Sequence, residues 1–182
     1  LAIRHIFFWS LPAIGLFIVL RAQIVRVILG SGEFSWSDTR LTAAALALFV
    51  VSVAGQGLIH LFVRSYYAGG RTMKPLVINT LSSLSVIGLA FILLKIFSLS
   101  PLFRFFIESL LRVEDISGTA ILMLPLAFTL GMTLNTFLFW IYWQKDFGRF
   151  AEIIIRTFFQ SLATAVFAGF VAYLFLVIGA QI

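Results

Sequence analysis

Ser52, Gln56, His60 and Arg64 stand four residues apart, in and at the end of one long apolar run. On a helix of 3.6 residues per turn, that spacing puts all four on one face. An amide, an imidazole and a guanidinium on one face of a membrane helix admit two readings. They can line a watery cavity, because leaving such groups in hydrocarbon is unfavourable. Alternatively, Gln56 and His60 can bond to neighbouring helices. In a cavity, His60 would change charge near neutral pH and alter the local potential. Asn135, which follows Gly131 and Thr133 in a later apolar run, poses the same choice between cavity and helix packing. Asn79, Ser82, Ser83 and Ser85 are spread over more than one face of their run and are expected to serve close helix packing.

Nothing else approaches a catalytic arrangement. His5 and His60 fall in different runs and show no metal-ligand spacing. Glu33, Asp38, Glu108, Glu114, Asp115, Asp146 and Glu152 all lie in loops or at helix ends, so no paired carboxylates face a common centre. Cysteine is absent, which removes disulfides, thiolate metal sites and a cysteine nucleophile. The chain is therefore expected to be no enzyme and to use no metal and no cofactor.

The elements that must position these residues are membrane helices. Of 182 residues, 62% are hydrophobic, 21 are phenylalanine and only 11% are charged. One soluble core of this size cannot bury that much apolar surface, so lipid is the expected solvent. The net charge of +6 comes from cations scattered at the ends of apolar runs. No basic stripe for nucleic acid emerges, and orientation in the membrane is the better account.

Five runs reach the roughly 20 residues that a spanning helix needs. They cover about 6–29, 41–63, 75–97, 118–143 and 153–178. They lack period-two alternation, which favours helices over barrel strands. Pro12 should kink the first run. Ser37 is expected to cap the start of the second, with Asp38 favouring the positive helix end. Ser100 and Pro101 read as N-cap and first residue of a short helix at about 101–113. Arg104, Glu108 and Arg112 form its polar stripe and the rest is Phe, Leu and Ile, the pattern of a helix lying in the membrane interface. The expected fold is all-α, a polytopic bundle of about five spans plus this interfacial helix.

Five spans put the N-terminus, the Arg64–Pro75 elbow and the loop near Asp146 on one side. That side holds Arg4, Arg64, Arg71, Lys74, Lys145 and Arg149; Arg26, Arg40, Lys95, Arg104 and Arg112 lie on the other. The bias makes the elbow cytoplasmic. Gly69 and Gly70 supply the backbone freedom for its reversal, and Tyr66 and Tyr67 suit the aromatic belt. Arg21 and Arg26 end the first run, and Arg26 is expected to reach back to the interface. Leu1 is not a methionine and the chain stops just after an apolar run, so a piece of a longer protein is expected.

Several stretches share an order and spacing with a known family. They are LPAIGL with VILGSGEFSWSDTRLTAAALALF, then GQGLIHLFVRSYYAGGRTMKP, then GTAILMLPLAFTLGMTLNTFLFWIYW running into QKDFGRF and IIIRTFFQSLATAV. Together they resemble the MurJ/MviN family of lipid II flippases, in the multidrug/oligosaccharidyl-lipid/polysaccharide exporter superfamily. Gly32, Phe34, Asp38 and Thr39 match the family's turn and acid–Thr cap; Arg64, Tyr67, Ala68, Gly70, Thr72 and Pro75 match its elbow. The resemblance implies that the chain is part of the C-terminal lobe of a two-lobe transporter, covering helices nine to thirteen of fourteen. It implies a bacterial inner-membrane, multi-pass protein moving a polyprenyl-linked peptidoglycan precursor for the cell wall by alternating access. Its partners would be membrane lipid, the lipid-linked oligosaccharide cargo and the missing N-terminal lobe, with no nucleic acid. The last span would line a groove for the lipid tail. Three features depart from the family. The cavity arginines belong to spans that are absent here, the third span has no acid for the family's sodium site, and Arg71 stands where an acid is usual. A polysaccharide-lipid or drug exporter of the same superfamily, and a non-transporting scaffold half, are the alternatives.

Overall fold

The computed structural model describes residues 2–30, 34–148 and 151–179, leaving aside the side chains of 151–155 and 179. Helices dominate, and no strand occurs among the described residues. The helices are α1 (Ala2–Leu29), α2 (Trp36–Val51), α3 (Val53–Ala68), α4 (Met73–Leu99), α5 (Pro101–Leu111), α6 (Met123–Phe147) and α7 (Ala151–Gly179), with a 3-10 turn at Thr119–Leu122 before α6. Five stretches are long and apolar enough to cross a bilayer, with α2 and α3 forming one of them and the 3-10 turn joining α6 in another. The chain is a polytopic α-helical membrane protein.

The second span is longer than its sequence suggests and is not one helix. It runs from Trp36 to Ala68, 33 residues. At about 1.5 Å per residue this exceeds the roughly 30 Å of hydrocarbon by several turns. It is interrupted at Ser52, whose N–H bonds to Phe49 O at 3.0 Å, three residues back instead of four. The Ser52 hydroxyl donates to the same carbonyl at 2.7 Å. Such back-bonding by serine is known to tighten and bend helices.

The helix ends follow local chemistry, with two corrections. Ser35, not Ser37, caps α2: Ser35 Oγ accepts from Asp38 N at 3.2 Å, and Asp38 Oδ2 accepts from Ser35 N at 3.0 Å. This is a reciprocal capping box. At the elbow only Gly70 takes a positive φ, 70°. Gly70 N bonds to Tyr67 O and Arg71 N to Tyr66 O, the paired bonds of a Schellman end. Ser100 caps α5 as expected, with Pro101 first in the helix.

Packing orders the helices. α7 lies along α1, α1 also packs on α2 and α3, these pack on α6, and α4 lies along α6. Lipid offers no hydrophobic reward for joining apolar helices, so close approach needs small residues. Gly15 of α1 does this against α7; a Cβ there would stand 2.7 Å from Ala165 O. Gly131 of α6 does it against Val86 of α4. One core joins Phe7, Leu58, Phe62, Tyr66 and Phe139 near the elbow. A second joins Ala44, Phe97, Ile107, Val113 and Met123 at the opposite end.

The short helix α5 corrects another expectation. Arg104, Glu108 and Arg112 do not share a water-facing stripe. Glu108 is buried and takes hydrogen bonds from Thr119 Oγ1 at 2.5 Å and Arg104 Nε at 2.9 Å. Arg112 has left the helix and adopts the left-handed conformation, φ 59°, as its C-terminal cap. Arg40 of α2 donates to the Arg112 carbonyl, which ties α5 to the second span. The exposed surface of α5 is mostly apolar, Leu102, Phe105, Phe106 and Leu110, with Arg104 and Ser109 also exposed.

Candidate functional site

Helices α3 and α4 both pack on α6 but scarcely touch each other. The gap between them is a cleft of about 420 Å³, lined by Gln56, Ile59, His60 and Val63 of α3, Asn79, Ser82, Ser83 and Val86 of α4, and Met132 and Asn135 of α6. Small-ligand sites typically enclose about 300–1,000 Å³. Six of the ten lining residues carry polar side chains, inside a bundle that is otherwise apolar. None of the ten is permanently charged.

The structure brings together Gln56, His60 and Asn135 of the sequence candidates and leaves Arg64 out. Arg64 is exposed and does not line the cleft. Gln56 is half-buried, and its Nε2 donates to Ser52 Oγ at 2.8 Å. The four-residue face is thus bonded along itself at its deep end. His60 is exposed at the rim. Asn135 is buried, and its Nδ2 donates to Asn79 Oδ1 at 3.2 Å, joining α6 to α4. Asn135 Oδ1 and Ser82 Oγ are both buried and have no hydrogen-bond partner among the described residues. Asn79, Ser82 and Ser83 also line the cleft, and Asn79 serves the helix packing expected of it through its bond to Asn135. Their spacing, i, i+3 and i+4, is one helical face and carried the signal. Ser85 bonds to its own helix at Leu81 O.

A larger hollow, about 640 Å³, lies between the starts of α1 and α7 and includes Arg4, His5, Gln160 and Ser161 in its lining. Arg4 and Arg156 meet at a smaller hollow beside Thr157 and Gln160. That end is cationic where the cleft is neutral.

The elbow residues are structural in placement. Asp146, near the end of α6, accepts from Lys74 Nζ at 2.7 and 2.6 Å and from Tyr66 OH at 3.0 Å, and pairs with Arg71 Nη1 at 3.1 Å. Tyr66 is fully buried, so it is not a belt residue; Tyr67 is exposed. Arg71, the departure from the family pattern, thus meets an acid from another helix. Sequence reasoning left Asp146 as a loop acid because nothing local links positions 72 to 80 residues apart. Ala68 and Thr72 are exposed at the turn, and Thr72 makes no side-chain cap bond. Pro75 is buried in the first turn of α4. At the other motif, Thr39 is buried with its hydroxyl on Ser35 O at 3.1 Å, and Phe34 is half-buried. Gly32 lies outside the described residues.

The family model described as "Lipid II flippase MurJ" matches residues 1–181. The chain belongs to the MurJ lipid II flippase family. No curated protein and no solved structure matches it. Family membership and the five apolar spans make it a multi-pass membrane protein of a flippase family.

Proposed function

We propose that this chain forms part of the C-terminal lobe of a transporter that moves lipid II, a polyprenyl-linked peptidoglycan precursor, across the bacterial inner membrane. The observation that carries the reading is the family match along essentially the whole chain. A neutral polar cleft between α3, α4 and α6 supports it, because a cargo with a hydrophilic headgroup needs a wet path through an apolar bundle. Two-lobe transporters place their cargo site near the midplane, between lobes that rock about it. In this reading α3 and α4 turn the cleft toward the other lobe. The shared elbow end, bearing Arg64, Arg71 and Lys74, faces the cytoplasm.

The test is reconstitution of the complete native protein in liposomes with a labelled lipid-linked disaccharide. Protein-dependent movement of label between leaflets is expected, and none from the 182 residues alone. A complete protein that leaves the label where it was placed overturns the reading. A reporter fused after Gly70 is expected to report the cytoplasm; a periplasmic signal overturns the orientation.

A further inference from the structure

We propose that the α3–α4–α6 cleft is a subsite for the uncharged, hydroxyl- and amide-bearing headgroup of the cargo, its sugars, and not for its diphosphate. The assignment rests on the flippase reading above. It starts from the two buried oxygens that lack partners, Ser82 Oγ and Asn135 Oδ1. Their residues are only 3% and 4% exposed, and both line the cleft. Buried polar atoms without partners are rare and ask for an explanation. An amide oxygen only accepts, so what completes it must bring a donor. Ionised phosphate oxygens also only accept, and they would face Asn135 Oδ1 as one acceptor faces another.

The charge of the lining agrees. Side-chain sites for phosphate and diphosphate are most often built from Arg and Lys, with their forked or point-charge donors. The cleft has neither. Its polar groups are amides, hydroxyls and one imidazole, which pair with groups that both donate and accept. A sugar hydroxyl does both. It would therefore also answer the opposite orientation of the Asn79–Asn135 amide pair, whereas an ion of one sign answers only one orientation. Between the polar groups stand Ile59, Val63, Val86 and Met132. They offer the apolar surface that the C–H face of a sugar ring needs.

The experiment compares two lipids on the complete native protein. One is a polyprenyl diphosphate carrying an N-acetylated disaccharide, and the other is the same polyprenyl diphosphate without sugar. Affinities are measured for the native protein, Ser82→Ala and Asn135→Leu. Each variant is expected to bind the glycosylated lipid about tenfold more weakly, the scale of one lost hydrogen bond. Each is expected to bind the bare diphosphate unchanged. Equal weakening toward both lipids overturns the assignment, because the cleft then reads the diphosphate or only shapes the fold. Unchanged affinity for both overturns it too, since the two oxygens are then met by water or by a neighbouring helix. A loss that replacing sodium reproduces in the native protein, with or without sugar, assigns the cleft to a cation instead. If Asn135→Leu fails to fold after losing its bond to Asn79, Ser82→Ala decides alone. A native protein that binds neither lipid overturns the flippase reading itself. One that binds both, with variants that do not discriminate, overturns only the sugar subsite.

Discussion

Thr129 of α6 donates its hydroxyl to the carbonyl of Leu48 in α2 at 2.6 Å. That carbonyl would ordinarily accept from Ser52 N, four residues on. Ser52 N bonds to Phe49 O instead. The break in the second span and the bond between helices are therefore one feature, because the tightening at Ser52 releases an acceptor and Thr129 takes it. Replacing Thr129 by Val keeps the shape and strands a carbonyl inside the bundle. A loss of about 1–2 kcal/mol is expected. Thr129→Ser keeps the donor and should retain most of the native stability. Reversible denaturation in mixed micelles checks both. A Val variant as stable as the native protein would show that Leu48 O finds another donor.

Asp146 holds three donors from the elbow, Tyr66, Lys74 and Arg71. Asp146→Ala is expected to lower the midpoint of thermal unfolding more than Lys74→Ala or Arg71→Ala. Each single cation loss leaves two of the three donors in place. Tyr66→Phe removes only the hydroxyl and should behave like a cation loss. If Asp146→Ala matches the mildest of the others, the acid does not organise the elbow.

Glu108 ties α5 to the turn before α6. Burial alone would raise its pKa, but the hydrogen bonds from Thr119 and Arg104 and the Arg104 charge outweigh that, so its carboxyl titrates below the ordinary 4.5. A carboxylate depressed in the folded state contributes stability above its unfolded pKa and loses that contribution as pH falls through the folded value. The stability gap between native protein and Glu108→Gln should thus be full at pH 7 and should shrink as pH falls below the unfolded glutamate value of about 4.3. Unfolding measured across pH 3–7 reads this directly. A gap that stays constant with pH would mean that the charge of Glu108 plays no part.

The absence of native cysteine makes accessibility scanning clean. In the complete protein, single cysteines at Gln56 and His60 are expected to react with a water-soluble thiol reagent. Cysteines at Leu58 and Phe62 should be protected, because both residues are buried, at 4% and 0% exposure. Equal protection at all four positions would return Gln56 and His60 to helix packing.

Much of this molecule is legible along the chain. Runs of about 20 apolar residues leave helices as the economical solution in lipid, and their number and rough limits follow from composition. Ser100–Pro101 and Gly70 work through local geometry, which sequence spacing records. The face shared by Gln56 and His60 is local for the same reason. The turn before α2 shows the limit of local reading: Ser35 and Ser37 are both chemically able to cap, and only the backbone path selects Ser35.

Tertiary structure decided whatever depends on two distant segments meeting. Asp146 became the anchor of the elbow because α6 ends beside it. Glu108 turned inward because Thr119 and Arg104 answer its charge. Arg64 left the polar face at the point where α3 leaves the cleft. Asn79 and Ser82 also face a cleft because α3 and α4 both rest on α6 without closing on each other. Periodicity within one helix reports which residues share a face. It carries no information about which neighbour, if any, that face will meet.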